Sequence, residues 1–135
     1  MIKTTTKKRV LYADTDKMGY LYYGHYAKLY EIGRAEMLRD HGITYRHLED
    51  VVGVMMPVLH LTCRYLRPAL YDDLLTIETS LLEQPTKMIT LHHKVFNQDY
   101  DLLNKGEVKL FFVDMKTQKR VSCPEYFSEK FDPFF

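Results

Sequence analysis

One long stretch with helical periodicity, followed by strand patterns almost to the end of the chain, most constrains how this sequence can fold. Apolar or small residues recur there at intervals of three and four, and His41-Gly42 provides a C-terminal stop. The residues of this stripe are Tyr26, Leu29, Tyr30, Gly33 and Met37. A second, narrower set occupies another side of the same helix, which indicates contacts beyond those with a sheet. Its members are Ala27, Ala35 and Leu38.

The remaining sequence has the pattern of an antiparallel sheet. Residues 9–13 predict a short strand before the helix, and residues 51–67 are rich in strand-forming residues around Pro57. Further strands are predicted at residues 74–83, 87–97 and 106–115, with a short closing helix at residues 124–130. One long helix with about five antiparallel strands predicts an α+β domain in which the sheet curls around the helix.

Length and charge narrow the class of protein. The chain has 135 residues, which predicts a single domain spanning residues 1–135. Its 19 Lys and Arg against 18 Asp and Glu give a net charge of +1, which argues against a general nucleic-acid binder. No apolar run approaches the roughly 20 residues of a membrane span, and the N-terminus lacks the apolar core of a secretory signal. Two distant cysteines, Cys63 and Cys123, fit reduced thiols in a cytoplasmic protein.

Elimination removes several common catalytic groups. Ser80, Ser122 and Ser128 lie in no G-x-S-x-G elbow, and the glycines form no phosphate-binding loop. His92 and His93 are adjacent in a predicted strand, so their side chains should point to opposite faces of the sheet and not share a metal ion. We therefore expect neither a metal centre nor a cofactor.

Asp14-Thr15-Asp16 is the best-placed set of carboxylates. In extended backbone, residues two apart share a face at roughly 6.5–7 Å. The pair precedes the predicted helix, whose first backbone N–H groups lack intrahelical partners and carry partial positive charge. A carboxylate beside free N–H donors can attack or activate water while a donor stabilises a developing oxyanion. Spacing alone favours the alternative, in which both aspartates cap the turn and the helix.

Two segments resemble the 4-hydroxybenzoyl-CoA thioesterase-like family. Residues 12–39, YADTDKMGYLYYGHYAKLYEIGRAEMLR, contain D-x-D-x-x-G followed by E-x-x-R-x-E-M-L. Residues 62–79, TCRYLRPALYDDLLTIET, contain a Y-x-x-P-A turn followed by two aspartates. The resemblance extends from about Arg9 to Met115 and is greatest to the acyl-CoA thioesterases associated with the Tol–Pal system.

The resemblance implies a hotdog fold, in which an antiparallel sheet wraps a long helix. It also implies a homodimer or homotetramer with active sites at the subunit interface. Asp16 matches the family's catalytic carboxylate, and Tyr23 matches the position whose backbone N–H holds the thioester carbonyl. Glu31 matches an acidic helix position that faces the acyl pocket in some members.

Substrate contacts are expected close to these positions. Members of this branch often have histidine where this chain has Tyr23, and here the histidine is His25. Tyrosine at position 23 still provides a backbone N–H donor, but it cannot perform any role that an imidazole has at this position. His25 is either a substrate contact or a capping residue. Tyr22 belongs to an aromatic stretch that would line the site.

Phosphate contacts are expected at a second place in the chain. Thr86 and Lys87 follow the Pro85 turn, where the family often binds the phosphates of CoA. Arg64 and Arg67 are further cations available for this role. Each of these residues is alternatively a solvated charge or polar group at the end of a strand.

The reaction predicted from these features is hydrolysis of an acyl-CoA thioester to a carboxylic acid and CoA. Asp16 would act as nucleophile or as general base, which the sequence does not separate, and Asp14 is expected to have a structural role. The alternative is a non-catalytic hotdog module that binds acyl-CoA or acyl carrier protein. A hotdog dehydratase is less favoured, because its Asp-His pattern on the helix is not seen. The acyl group remains open.

Overall fold

The computed structural model describes residues 1–135 and contains one long helix, two short helices and seven strands. The strands are β1 (Ile2–Arg9), β2 (Val54–Met55), β3 (Val58–Tyr65), β4 (Leu74–Leu81), β5 (Met88–Phe96), β6 (Leu102–Asp114) and β7 (Arg120–Val121). The helices are α1 (Tyr26–Asp40), α2 (Tyr45–His47) and α3 (Glu125–Phe131). A π-helical turn spans Leu48–Val52, and three 3₁₀ turns span Tyr12–Asp14, Tyr23–His25 and Asp132–Phe134. None of the helices combines the length and apolarity that a bilayer span requires.

The sheet is antiparallel throughout. Strands β1, β4, β5 and β6 pair in that order, and β3 pairs with β6. The two-residue strands β2 and β7 extend the pairing at the far end of β6. Strand β3 has no partner on its other side, so it forms an open edge of the sheet.

Helix α1 packs against the face of the sheet formed by β1, β4 and β5. All five residues of the predicted stripe are buried, and Tyr30 and Met37 have no exposed surface. Of the second set, Leu38 is buried in the core while Ala27 stays exposed. The predicted α+β fold with a sheet around a long helix is therefore confirmed.

Gly33 sets how closely α1 approaches the sheet. A Cβ atom at this position would clash with Thr79 Oγ1 and would lie 2.9 Å from Ile77 Cγ2, both on β4. Only hydrogen fits between helix and strand there. The absence of a side chain thus places the flanking Tyr30 and Met37 deep in the core.

The Tyr30 side chain contacts several polar side chains inside the core. The Tyr30 ring stacks on the His93 ring with centroids 4.5 Å apart and planes inclined by 5°. Its hydroxyl donates to Asn104 Oδ1 and lies 3.4 Å from Cys63 Sγ. His93 Nδ1 is hydrogen-bonded to Thr79 Oγ1 at 3.1 Å, while its Nε2 is buried without a partner.

His93 faces α1, whereas the adjacent His92 faces the other side of the sheet and pairs with Glu107 at 3.6 Å. The opposite orientation predicted for the two histidines is confirmed. Burial, followed by the charge of Arg34, lowers the pKa of His93 to about 3. The core therefore holds a neutral imidazole.

Three of the predicted strands are wrong in their bounds, and one of them, predicted at residues 106–115, begins four residues earlier, at Leu102. The first strand ends at Arg9, where residues 9–13 were expected to be extended. Its polar sequence IKTTTKKR hides the pattern, because β-branched threonines occupy inward positions that leucine or valine usually fill. The predicted strand at residues 51–67 begins with a π-helical turn and is broken before β3.

Replacement of Gly33 by alanine should destabilise the fold by about 1–3 kcal/mol, because the added methyl group forces α1 away from β4. Chemical denaturation of the purified protein measures this loss. Lys28→Ala, an exposed change on the same helix, is the control and should change the unfolding free energy by less than about 0.5 kcal/mol. Equal stability of the Gly33→Ala variant and the parent would contradict the packing.

Stability should fall with acidification because of His93. Its pKa is lowered in the folded state, so the unfolded chain binds the proton first. The contribution is complete above the ordinary histidine pKa of about 6.5 and is lost as the pH falls toward about 3. At about pH 5 the loss should be about 2 kcal/mol.

Denaturation curves across this pH range test the assignment. The slope of unfolding free energy against pH should become shallower in His93→Gln and remain in the control His92→Gln. An unchanged slope in His93→Gln would show that other groups are responsible.

Candidate active site

The loop between β1 and α1 fixes the Asp16 side chain through a tight turn. Gly19 N–H donates to Asp16 O at 3.0 Å, and the turn requires the left-handed φ of +80° that Gly19 adopts. Asp16 Oδ1 accepts from the backbone N–H of Met18 at 2.9 Å and of Tyr20 at 3.2 Å. Oδ2 has no partner in the chain. One carboxylate oxygen is therefore anchored and the other is free.

Asp14 has a different role from Asp16. It ends the 3₁₀ turn Tyr12–Asp14, and its Oδ2 accepts from Leu11 N–H at 3.0 Å. Its carbonyl oxygen accepts from Tyr22 N–H at 2.9 Å. The extended backbone expected from Asp14 to Asp16 is wrong, because Asp14 folds back on its own turn. The two carboxylates do not form a pair facing one way.

The helix start presents unused backbone donors. The 3₁₀ turn Tyr23–His25 runs directly into α1, so both form one continuous helical segment. His25 N–H donates to Tyr22 O at 3.0 Å, and Tyr26 N–H donates to Tyr23 O. The N–H groups of Tyr23 and Gly24 donate to no acceptor in the chain. They lie at the positive end of the helix dipole.

Asp16 and Tyr23 line the same cleft, which has a volume of about 280 Å³. Tyrosines and apolar side chains form most of its wall. The lining residues are Asp16, Met18, Tyr20, Leu21, Tyr23, Tyr26, Tyr65, Leu66, Arg67 and Pro68. Asp16 is the only carboxylate among them, and Arg67 is the only cation.

Two phenols of the cleft remain protonated at neutral pH. Burial, with a further contribution from Cys63, raises the pKa of Tyr26 to about 12. The nearby Cys63 thiol and then partial burial raise the pKa of Tyr65 to about 12. Neither phenol can serve as a base near neutrality. The Tyr65 hydroxyl instead donates to the carbonyl oxygen of Tyr23 at 3.4 Å, bridging β3 and the helix start.

Three other predicted site residues lie close to the cleft or on α1 but do not line it. The Tyr22 ring packs 4.7 Å from the Tyr23 ring, and the His25 ring lies 5.6 Å from that of Tyr22. Glu31 is exposed on α1. Their contact with substrate stays a prediction.

Thr86 and Lys87 lie at the exposed turn between β4 and β5. The Thr86 carbonyl accepts from Cys123 N–H at 2.6 Å, which ties this turn to the segment before α3. Thr86 lines a separate hollow of about 340 Å³ that shares no residue with the Asp16 cleft. Within this chain, the predicted phosphate contacts and the predicted catalytic residues are therefore apart, and binding by these two residues stays a prediction.

The wall formed by residues 65–68 was not predicted as part of the site, apart from Arg67 as a possible phosphate contact. A backbone bridge between Tyr20 and Leu70 joins the Asp16 loop to the turn after β3. Leu21 N–H also donates to Ala69 O at 2.8 Å. The sequence did contain a signal for this wall, the Y-x-x-P-A motif, which in the structure lies against the loop of the D-x-D-x-x-G motif.

Comparison with known proteins agrees with this architecture. Residues 18–103 match the family described as the thioesterase superfamily. The chain belongs to the thioesterase superfamily. The family resemblance and the enzyme class predicted from the sequence are confirmed at this level.

Curated relatives of this thioesterase cover most of its length. The acyl-CoA thioester hydrolase YbgC of Escherichia coli O6:H1 is 33% identical over 117 residues, which is 87% of each chain. A putative esterase of Aquifex aeolicus is 30% identical over 119 residues, covering 88% of this chain and 90% of the relative.

Solved structures confirm the predicted hotdog thioesterase fold. A DHNA-CoA thioesterase from Staphylococcus aureus superimposes with a TM-score of 0.90 at 26% identity, covering 99% of this chain and 89% of that one. A variant 4-hydroxybenzoyl-CoA thioesterase, complexed with 4-hydroxybenzoyl-CoA, gives a TM-score of 0.85 at 20% identity. That alignment covers 95% of this chain and 97% of the other, and it speaks to the fold alone.

Proposed function

We propose that this chain hydrolyses acyl-CoA thioesters, with Asp16 and the backbone N–H of Tyr23 as the reacting groups. The observation that carries the proposal is their presence in one cleft, where Asp16 is the only carboxylate and the Tyr23 N–H has no acceptor. The relatives named acyl-CoA thioester hydrolase support the choice of substrate class.

The helix start binds the thioester carbonyl and stabilises the negative charge that forms on its oxygen. The thioester carbonyl oxygen accepts from Tyr23 N–H, and the helix dipole stabilises the negative charge that develops on attack. Gly24 N–H is a second free donor one residue further on. Because both are backbone groups of a continuous helical segment, they need little reorganisation during the reaction.

Asp16 acts by one of two routes. As nucleophile, its free oxygen attacks the carbonyl carbon, the C–S bond breaks, CoA leaves as thiolate, and water then hydrolyses the mixed anhydride. As general base, Asp16 takes a proton from the attacking water. An Asp16 oxygen in the product acid after a single turnover in isotopically labelled water identifies the nucleophilic route with attack of water on the Asp16 carboxyl carbon, because the general-base route cannot place it there.

A second copy of the chain would complete the cleft. Strand β3 exposes a row of apolar side chains along the open edge, and Tyr65 and Leu66 of the cleft lie at its end. The exposed fractions are 53% for Val58, 46% for Leu59, 38% for Leu61 and 52% for Tyr65. An open apolar edge strand is a template for pairing with another strand, here the same edge of a second chain. We therefore place the proposed active site at a homodimer interface.

Asp16→Asn should lower kcat for acyl-CoA hydrolysis by at least about 100-fold. Asparagine keeps an oxygen that accepts from the backbone of Met18 and Tyr20, so the turn should stay intact. Release of CoA, followed with a thiol-reactive dye, measures the effect across short, long and aromatic acyl groups.

The matched control is Asp14→Asn, which changes the neighbouring carboxylate outside the cleft and should retain kcat within a few-fold. Parental turnover in the Asp16→Asn variant would refute the assignment. If the parent is thermally stabilised by acyl-CoA but releases no thiol with any acyl group, the non-catalytic binding module is the better description.

Leu61→Lys should weaken the homodimer and reduce hydrolysis with it, because a charge enters the apolar edge of β3. Sedimentation velocity gives the mass, and the thiol assay gives the activity. Val51→Lys is the control, since Val51 is 68% exposed in the π-helical turn and away from β3. A parent that sediments as a fully active monomer would contradict the interface.

A further inference from the structure

The face of the sheet opposite α1 carries a groove of about 590 Å³. Residues of five strands line it, most of them with outward-facing side chains, and it shares no residue with the cleft around Asp16. Its polar floor includes Thr62, Ser80, Glu78, His92 and Glu107. The volume lies within the range of about 300–1,000 Å³ that small-molecule sites occupy.

Three cations form a straight row across this groove. Lys105 on β6 is directly paired with Arg64 on β3 and with Lys94 on β5. Directly paired residues of an antiparallel sheet project from the same face, and adjacent strands are roughly 4.8 Å apart. The row therefore spans about 10 Å over three neighbouring strands.

The chain does not neutralise this row. None of its five ion pairs includes Arg64, Lys94 or Lys105. Glu78 is paired in register with Lys94, but its carboxylate lies 3.8 Å from Lys3 Nζ.

The other carboxylate in the groove is also engaged. Glu107 lies 3.6 Å from both His92 Nδ1 and Lys109 Nζ. All three side chains of the row are exposed and available to a ligand.

This row of like charges should lower the stability of the protein when no ligand is bound. Like charges directly opposite each other destabilise a sheet, and here two such pairs are adjacent. An excess of basic residues does not explain them, because the net charge of the chain is only +1. A bound polyanion would relieve the repulsion at both pairs.

We propose that the groove binds a phosphate-bearing small molecule of nucleotide size, with its phosphate oxygens along Arg64, Lys105 and Lys94. Lysine and arginine donate charge-assisted hydrogen bonds to phosphate, and the Thr62 and Ser80 hydroxyls add neutral donors. The ligand is either the nucleotide portion of the CoA substrate or a separate nucleotide that acts from outside the Asp16 cleft.

The first experiment needs no turnover. Adenosine 3′,5′-bisphosphate and pyrophosphate are titrated into the full chain by calorimetry, in parallel with thermal unfolding. The variant Lys94→Gln/Lys105→Gln should bind both probes at least about tenfold more weakly. Without a probe it should unfold at a higher temperature than the parent, because the repulsion is removed.

The control Lys116→Gln/Lys119→Gln removes the same charge from an exposed turn outside the groove and should bind like the parent. No binding of either probe to the parent overturns the proposal. Equal weakening in the variant and the control also overturns it, since binding would then follow net charge. The parent could also bind neither probe while the groove variant, but not the control, differs from it in sedimenting mass. That result overturns the proposal and shows that a second chain occupies this face instead.

A second experiment separates the two sources of the ligand and rests on the proposed function. If the substrate's own nucleotide occupies the groove, the groove variant should raise KM for acyl-CoA and leave KM for the matching acyl-pantetheine unchanged. If a separate nucleotide binds, both KM values stay at parental levels while calorimetry shows the loss of affinity. Because the calorimetry is independent of hydrolysis, failure of the proposed groove and failure of the proposed activity are distinguishable.

Discussion

The close contact of α1 with the sheet at Gly33 is the constraint on which the rest of the structure depends. With no side chain between them, helix and strand β4 come within van der Waals contact, and Tyr30 reaches the polar group of His93, Asn104 and Cys63. The helix is thereby fixed at a defined height over the sheet. Its first turn is fixed with it, so Tyr23, whose N–H has no acceptor, lines the same cleft as Asp16.

The two faces of the sheet handle polar groups in opposite ways. Toward α1, His93 is buried and neutral, and one of its nitrogens has no partner. On the outer face, like charges stand side by side across β5, β6 and β3 without partners. Burial keeps the His93 imidazole uncharged on the first face, whereas the basic side chains of the row on the second face are exposed to solvent. A buried nitrogen without a partner and a row of like charges each lower the stability of the fold, compared with apolar residues in the core or mixed charges on the surface. Such costs are typical of positions under a functional constraint.

Much of the fold could be predicted from residue patterns because the signals are local. The stripe from Tyr26 to Met37 needs only helical geometry, and β4, β5 and β6 have enough apolar residues to be recognised. The bounds of strand β1 were not predicted because threonine and lysine give it no apolar alternation. It is a strand because it pairs with β4 along its whole length. Asp14 was misplaced for a related reason: a carboxylate that closes its own turn has the same spacing to Asp16 as one in extended backbone.

The sequence by itself determined the helix, most strands, the family motifs and the pairing of a carboxylate with a helix start. Tertiary structure alone decided that residues 65–68 close the cleft, and that Thr86 and Lys87 lie apart from it. It also brought Arg64, Lys94 and Lys105 into one row. Local patterns follow from backbone periodicity within a few residues. Contacts between distant residues depend on strand register and on the bridge at Tyr20 and Leu70, which are set when the whole sheet packs around α1.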